Sequence, residues 1–128
     1  MQTWRSFLDK LKKEANSVLS IGAGVEDKGK EPFDLMLIAG EPPATRRYWI
    51  VNAPDIVSPG GWVMLGNANR PEYWKERAKL KEKAKTVKTF DDNSSGSKFR
   101  VMEFYQMPGA TRKKGKKKDE SRTQPEQE

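Results

Sequence analysis

The chain contains neither cysteine nor histidine. Without cysteine it cannot form disulfides or thiolate metal sites. Without histidine it lacks the commonest general base and the commonest metal ligand, so any acid–base chemistry must use Asp, Glu, Lys or Tyr. No stretch approaches the roughly 18 apolar residues of a membrane span, and the N-terminus shows no signal-peptide pattern. We therefore expect a soluble cytoplasmic protein without a membrane span.

Apolar residues are also scarce, because hydrophobic and charged residues each make up 34% of the 128 positions. A chain of this length forms one domain at most. Nearly all apolar residues fall between Trp4 and Met107. We expect an ordered domain over residues 1–107 and a disordered charged tail over residues 108–128.

The tail concentrates positive charge in the segment TRKKGKKK at residues 111–118, within a net charge of +7. Such a segment can hold nucleic acid or an anionic surface weakly by counterion release, without reading sequence. The alternative is a solvated tail that only increases solubility. The lysines that would make the contact are Lys113, Lys114, Lys116, Lys117 and Lys118.

The first elements follow from periodicity. Apolar residues spaced like one face of a helix follow Thr3, which predicts a helix with Thr3 as N-cap: they are Trp4, Phe7, Leu8, Leu11 and Ala15. A short strand is predicted at residues 18–21, and the glycines, charges and proline of residues 22–32 predict a loop.

Two apolar runs of strand length follow, Phe33–Ile38 and Trp62–Leu65, with a helix-length segment after Pro43 between them. The order strand, helix, strand is typical of parallel strands. Tyr48 or Trp49 is expected on the buried face of that helix, together with Ala53 and Ile56. Pro54 is expected to cut or kink the helix, because it removes an internal donor.

Pro71 predicts the start of another helix that reaches about Ala84. Alternation over residues 86–90 predicts an edge strand, a turn follows at residues 91–97, and residues 99–105 pair back. Together the elements predict an α/β fold with a mostly parallel, partial Rossmann-like sheet. A C-terminal antiparallel hairpin closes the sheet, and helices cover both faces.

The segments FDLMLIAG at residues 33–40 and PGGWVMLGN at residues 59–67 resemble the fourth and fifth strands of class I S-adenosylmethionine-dependent methyltransferases, in an O-methyltransferase-type lineage. The closing hairpin, which ends in Phe104-Tyr105, also resembles the end of that sheet. The resemblance implies S-adenosylmethionine as cofactor. It also implies an antiparallel strand inserted beside a neighbour in the sheet.

The resemblance allows two alignments of the N-terminal part. In one, VLSIGAG at residues 18–24 is the family's glycine turn, and Gly22 and Gly24 bind the cofactor. Residues 25–32 are then too few for the helix and the ribose-binding strand that should follow. In the other, which we favour, residues 18–21 are the third strand. Both alignments imply an absent or incomplete cofactor half, so that binding by this chain alone is doubtful.

Two family aspartates are replaced by Ala39 and Gly66, and only Asn67 remains of the metal ligands that the resemblance implies. We therefore expect no catalytic metal. Glu41, Asn67 and Asn69 are expected together at the carboxyl edge of the sheet as the candidate catalytic residues. The alternatives are a turn-forming Asn67 and a solvated Glu41.

Arg46 and Arg47 open the helix that follows Pro43, where guanidinium groups could grip a phosphate or carboxylate of a substrate. Ordinary surface charge is the alternative. Trp49, Trp62 and Trp74 are expected to pack between helices and sheet, with room for one exposed tryptophan.

Three hypotheses of function follow. The first is a truncated or degenerate methyltransferase-like protein, inactive alone or dependent on a partner for cofactor binding. The second is a non-catalytic scaffold whose open sheet edge and apolar patch pair with a second copy or another chain. The third is a small nucleic-acid-binding protein that acts through its tail.

Overall fold

The computed structural model describes residues 3–92, 96 and 98–109, and shows an α/β fold in which helices cover both faces of a five-stranded mixed sheet. The helices are α1 (Trp4–Glu14), α2 (Pro43–Ile56) and α3 (Trp74–Lys83), with a 3₁₀ turn at Pro71–Tyr73. The strands are β1 (Val18–Ile21), β2 (Phe33–Ile38), β3 (Val57–Leu65), β4 (Thr86–Asp91) and β5 (Val101–Gln106).

The strand order is β1-β2-β3-β5-β4. The first three strands are parallel, and β5 runs antiparallel to both β3 and β4. This confirms the predicted α/β class, the parallel strands and the C-terminal hairpin. It also places β4 at an edge and β5 as an antiparallel strand between two others. Part of the predicted turn, residues 93–95 and 97, lies outside the described residues.

Helix α1 begins as the sequence predicts. The Thr3 hydroxyl accepts a hydrogen bond from the Ser6 main-chain N–H at 3.1 Å, and the Thr3 N–H donates to the Ser6 hydroxyl at 3.1 Å. This reciprocal pair satisfies donors that a helix start leaves free. Phe7 and Leu11 are buried against the sheet face that carries Leu35. Phe7 meets the Trp62 ring edge-on, with centroids 5.2 Å apart.

Helices α2 and α3 cover the opposite face of the sheet. Met36 and Ile38 point there, alternating with Leu35 on the α1 side, and contribute to one cluster with Ile50 of α2 and Leu80 of α3. Both faces of β2 are therefore buried, which explains its nearly unbroken apolar sequence.

One alternative for α2, that Pro54 cuts the helix, is wrong. Pro54 does not cut the helix, which continues to Ile56. Its missing donor falls in the last turn, and the Val57 N–H still closes the helix on the Ala53 carbonyl. Of the two aromatic candidates for the buried face, Trp49 packs against the core cluster that contains Ile50 and Ala53, whereas Tyr48 is 60% exposed. Ala53 is buried and Ile56 packs against the same cluster, so the expected face is the buried one, and it also carries Arg46 and Ile50.

The connection between β1 and β2 is a loop without a helix, as predicted for residues 22–32. It returns along the outer edge of β1, where Val18 and Lys28 exchange main-chain hydrogen bonds of 2.7 and 2.9 Å. The Asp27 carboxylate accepts a hydrogen bond from the Ser20 N–H at 2.8 Å. These contacts occupy part of the edge at which a partner strand would pair.

Helix α3 is tied to the sheet through Glu103, which is fully buried on β5. Arg77 donates two hydrogen bonds to its carboxylate, at 2.7 and 3.0 Å, and the hydroxyls of Thr89 and Tyr105 donate at 2.7 and 2.5 Å. Burial alone raises the pKa of Glu103, but these hydrogen bonds outweigh it and lower the pKa to about 2. Burial and the bond to Glu103 raise the pKa of Tyr105 far above its usual range.

Candidate functional site

The candidate site lies at the carboxyl edge of the parallel strands, where α/β proteins usually bind ligands. Ala39 follows β2 and Gly66 follows β3. A Cβ atom built on Gly66 would lie 3.6 Å from the Ala39 Cβ. Side chains at these two positions would therefore be in contact across the ends of neighbouring strands.

Arg46 fills this edge from the first turns of α2, and only 6% of it is exposed. Its Nε donates to the Glu41 carbonyl oxygen at 2.8 Å, and Nη1 donates to the Gly66 carbonyl oxygen at 2.7 Å. Nη1 and Nη2 lie 3.4 and 3.3 Å from Oδ1 of Asn67. The guanidinium group thus joins the ends of β2 and β3.

Tyr73 completes the cluster from the 3₁₀ turn before α3. Its fully buried hydroxyl accepts a hydrogen bond from Arg46 Nη1 at 2.9 Å. The same hydroxyl donates toward the main-chain oxygens of Asn67, at 2.5 Å, and Gly66, at 3.2 Å. Burial raises the pKa of Tyr73, against the lowering effect of the Arg46 charge. The phenol is therefore a neutral hydrogen-bonding group near neutral pH.

Every hydrogen-bond partner of Arg46 described above is neutral. Among the described residues, no carboxylate forms an ion pair with it within 4.0 Å. Its charge is balanced by main-chain oxygens, the Asn67 amide and the Tyr73 hydroxyl. It also lies near the N-terminus of α2, where the helix dipole disfavours a cation. The edge consequently holds a fixed, buried positive charge without a counterion in the described part of the chain.

Asn67 and Asn69 anchor the chain segment that leads into β5. Asn67 adopts a left-handed conformation with φ of 52°, which asparagine tolerates better than most residues. Its Nδ2 donates to the Phe99 carbonyl oxygen. Asn69 Nδ2 donates to the Lys98 carbonyl oxygen at 3.1 Å, and its Oδ1 accepts from the Val101 N–H at 3.3 Å. Both amides therefore hold the main chain, as the turn-forming alternative for Asn67 anticipated.

The remaining candidates, Glu41 and Arg47, lie in different environments. Glu41 joins the cluster through its carbonyl oxygen, whereas its half-buried carboxylate has no hydrogen bond or ion pair within the described residues. Arg47 is exposed, with its Nη1 3.3 Å from the Glu72 carbonyl oxygen. The surface-charge alternative thus fits Arg47 and is wrong for Arg46. The structure brings Glu41 and Asn67 together on Arg46, while the Asn69 side chain contacts only the segment before β5, at Lys98 and Val101.

Gly22 and Gly24 lie at the end of β1, and both have φ near +70°. The Gly40 N–H donates to the Gly22 carbonyl oxygen at 2.9 Å, and a Cβ on Gly40 would lie 2.5 Å from that oxygen. The two main chains are therefore in direct contact, which requires glycine. Gly24 is open to solvent. No helix starts after this turn, so the main-chain donors of a helix N-terminus are not available there.

Three tryptophans were expected to pack between helices and sheet. Trp49 and Trp62 are half-buried and do so, but Trp74 is 59% exposed. The five tail lysines lie outside the described residues, so their contact with nucleic acid stays a prediction. In the described ranges, no helix combines the length and apolar composition needed to cross a membrane. The same ranges hold no group of three acidic side chains placed to bind a metal.

Comparison with protein-family models and with curated proteins finds no match for this chain. The candidate site is therefore interpreted from its own geometry.

Sequence analysis missed the role of Tyr73 and the burial of Arg46. One signal was present for Arg46. It precedes Ile50 and Ala53 by four and seven positions, the spacing of a single helix face.

Proposed function

We propose that this chain is a methyltransferase-like α/β scaffold that does not transfer methyl groups by itself. The sheet supports this proposal, because an antiparallel β5 inserted between β3 and β4 is the arrangement that the sequence resemblance implies. The contact between Ala39 and the Gly66 position supports it too, since the family's strand-end aspartates would have to be neighbours.

The position of β1 favours the first of the two alignments. In the doubly wound strand order 3-2-1-4-5-6, the strand beside the fourth is the first, not the third. β1 pairs in parallel with β2. If β2 corresponds to the fourth strand of the family, β1 therefore corresponds to its first strand, the one that precedes the glycine turn. Residues 22–32 then run directly to β2 and replace the cofactor helix and the ribose-binding strand. On this basis we propose that the chain alone does not hold S-adenosylmethionine.

The observation that carries the proposal is the buried Arg46. Its Nη1 lies 2.7 Å from the Gly66 carbonyl oxygen, at the strand end where the resembling family places metal-binding carboxylates. A fixed cation repels a divalent ion, and the neutral Asn67 amide cannot offset that repulsion. The edge is thus arranged to stabilise the fold rather than to bind a metal or activate a nucleophile.

The test restores the carboxylates with the double substitution Ala39→Asp and Gly66→Asp. The matched control is Ala39→Asn with Gly66→Asn, which keeps shape and removes charge. Two carboxylates in contact should bind Ca²⁺ or Mg²⁺, and saturation to ten times Kd stabilises a folded state by about 1.4 kcal/mol. Thermal unfolding with and without each ion measures this effect, which the amide control should lack.

Arg46 should compete with the ion, because a guanidinium group pairs readily with an introduced carboxylate. Adding Arg46→Gln to the aspartate variant should therefore increase the ion-dependent rise in Tm. If neither aspartate variant responds to either ion while remaining folded, the strand ends do not correspond to those of metal-dependent methyltransferases. The proposed lineage would then fail.

A further inference from the structure

A groove of about 560 Å³ runs between α2 and α3, on the side of the helices away from the sheet. Its floor is formed by Ile50 and Leu80, which are 1% and 2% exposed. Val51 and Pro54 of α2 form one wall, and Trp74 of α3 contributes to the other. The groove is partly open to solvent and is lined by residues of both helices.

The groove walls carry unusually exposed apolar side chains. Val51 is 55% exposed and Trp74 is 59% exposed. Tyr48, one turn before Val51 on α2, is 60% exposed and extends the same apolar strip beyond the groove. Contiguous exposed apolar surface of this kind marks interaction sites in folded proteins. Burying an exposed tryptophan also contributes strongly to binding.

The rim of the groove is positively charged. Lys75, Lys79 and Lys83 are exposed, line the groove and recur at every fourth position of α3. The Lys75 ammonium group lies 5.9 Å from the centroid of the Trp74 ring. Glu76 is the one acidic residue among the described residues that line the groove. The rim therefore favours a partner that carries negative charge beside an apolar surface.

We propose that this groove binds an acidic amphipathic helix. At a rise of about 1.5 Å per residue, lysines four positions apart lie about 6 Å apart along α3. Glutamates or aspartates four positions apart on a helix lying alongside have the same spacing. The apolar face of that helix, with residues at i, i+3, i+4 and i+7, enters the groove and covers Val51 and Trp74. This inference does not depend on the methyltransferase resemblance.

Shape and charge disfavour two other occupants. A second copy related by a two-fold axis would bring two identical lysine rows toward each other, because such an interface uses the same patch twice. A flat anionic membrane could contact the rim and Trp74, but it would not reach Ile50 and Leu80 on the floor. A convex helix meets both the floor and the rim.

The experiment titrates the full chain with a synthetic amphipathic helical peptide that has leucines on one face and glutamates on the other. Calorimetry or Trp fluorescence measures Kd. Trp74→Ala should weaken binding by about tenfold or more, the effect of losing a central aromatic anchor. Lys79→Glu should weaken binding several-fold and flatten its salt dependence. Lys13→Glu, an equal charge change at an exposed position of α1, should leave Kd within about twofold.

Three control arms complete the design. A peptide with lysines in place of the glutamates should bind at least tenfold more weakly if the rim selects charge. All variants alter exposed side chains, so an unchanged Tm verifies that each is folded. Equal affinity for the two peptides, or no effect of Trp74→Ala and Lys79→Glu, overturns the proposal. Tighter binding to anionic phospholipid vesicles, lost in the same two variants, overturns it in favour of a membrane surface.

Discussion

Arg46 and Glu103 are both buried charged residues, but they are satisfied in different ways. Glu103 pairs with Arg77 through two hydrogen bonds, and Lys81 lies 3.6 Å away. Arg46 has only neutral partners among the described residues. In the Glu103 cluster the buried carboxylate is paired with positive charge, and the pair joins α3 to the sheet. The Arg46 cluster instead leaves net positive charge at the edge where α/β proteins usually bind ligands.

The difference shows which cluster affects what the sheet edge can bind. A buried carboxylate held by a bidentate arginine and two hydroxyls has its main acceptor sites occupied. Such a carboxylate is not available to a ligand, and its role is to join the helix and the strands that carry the cluster. A buried cation at a strand edge changes what that edge can bind, because it repels a metal ion that a carboxylate at the same place would attract.

The largest expected effect comes from breaking the ion pair. Arg77→Met should destabilise the domain by about 3–5 kcal/mol, because it leaves the buried Glu103 carboxylate without its bidentate partner. Chemical denaturation measures the loss. Arg77→Met combined with Glu103→Gln should recover part of it, since no buried charge is then unpaired. A loss below about 1 kcal/mol for the single variant would show that Lys81 and the hydroxyls suffice.

The same ion pair predicts acid sensitivity. The pKa of Glu103 falls from its ordinary 4.5 to about 2 in the folded chain. The unfolded chain therefore takes up the proton first as the pH falls. The resulting stabilisation, on the order of 3 kcal/mol, is complete above about pH 4.5 and is lost as the pH falls toward 2.

Chemical denaturation at several pH values measures this loss of stability. Glu103→Gln is the control, because it should lack the pH-dependent contribution of Glu103. An identical acid profile in the control would assign the acid sensitivity to other carboxylates. Arg46 makes no contact with the Glu103 cluster in the contacts described above, so Arg46→Met should keep the pH-dependent contribution of Glu103.

Removing the unpaired cation should have a smaller effect. Arg46→Met should cost about 2 kcal/mol, because it leaves neutral acceptors rather than a buried charge without partners. Those acceptors include the carbonyl oxygens of Glu41 and Gly66. Chemical denaturation again gives the value, with the exposed Arg47→Met as the matched control near zero. A loss as large as that of Arg77→Met would show that the two clusters are energetically alike.

The two clusters also show how far sequence analysis reaches. Local patterns predicted α1 with its Thr3 cap, the parallel strands and the hairpin, because apolar periodicity and capping residues act over a few positions. The buried face of α2 was predicted through Trp49 and Ala53, but the burial of Arg46 on that face was not, because its hydrogen-bond partners come from distant parts of the chain. Pro54 was misjudged because its effect depends on its distance from the helix end, which the sequence did not fix.

The partners of the buried polar residues also could not be predicted from the sequence. Arg77 and Glu103 are 26 positions apart, and Arg46 and Tyr73 are 27 apart. A lone glutamate in an apolar strand signals that some partner must exist, but not which one. The contacts of Glu41 and Asn69 could not be predicted either, because they depend on main-chain atoms brought together by the fold.

The most direct test of the proposed non-catalytic scaffold is a calorimetric titration of the folded chain with S-adenosylhomocysteine, at low and high protein concentration. The loop at residues 22–32 provides no helix N-terminus after the glycine turn, so we predict no binding at millimolar ligand at either concentration. Micromolar binding at both would contradict the account of a missing cofactor half. Micromolar binding only at high concentration would show that a second copy completes the cofactor half, and would contradict the proposal of a non-catalytic scaffold.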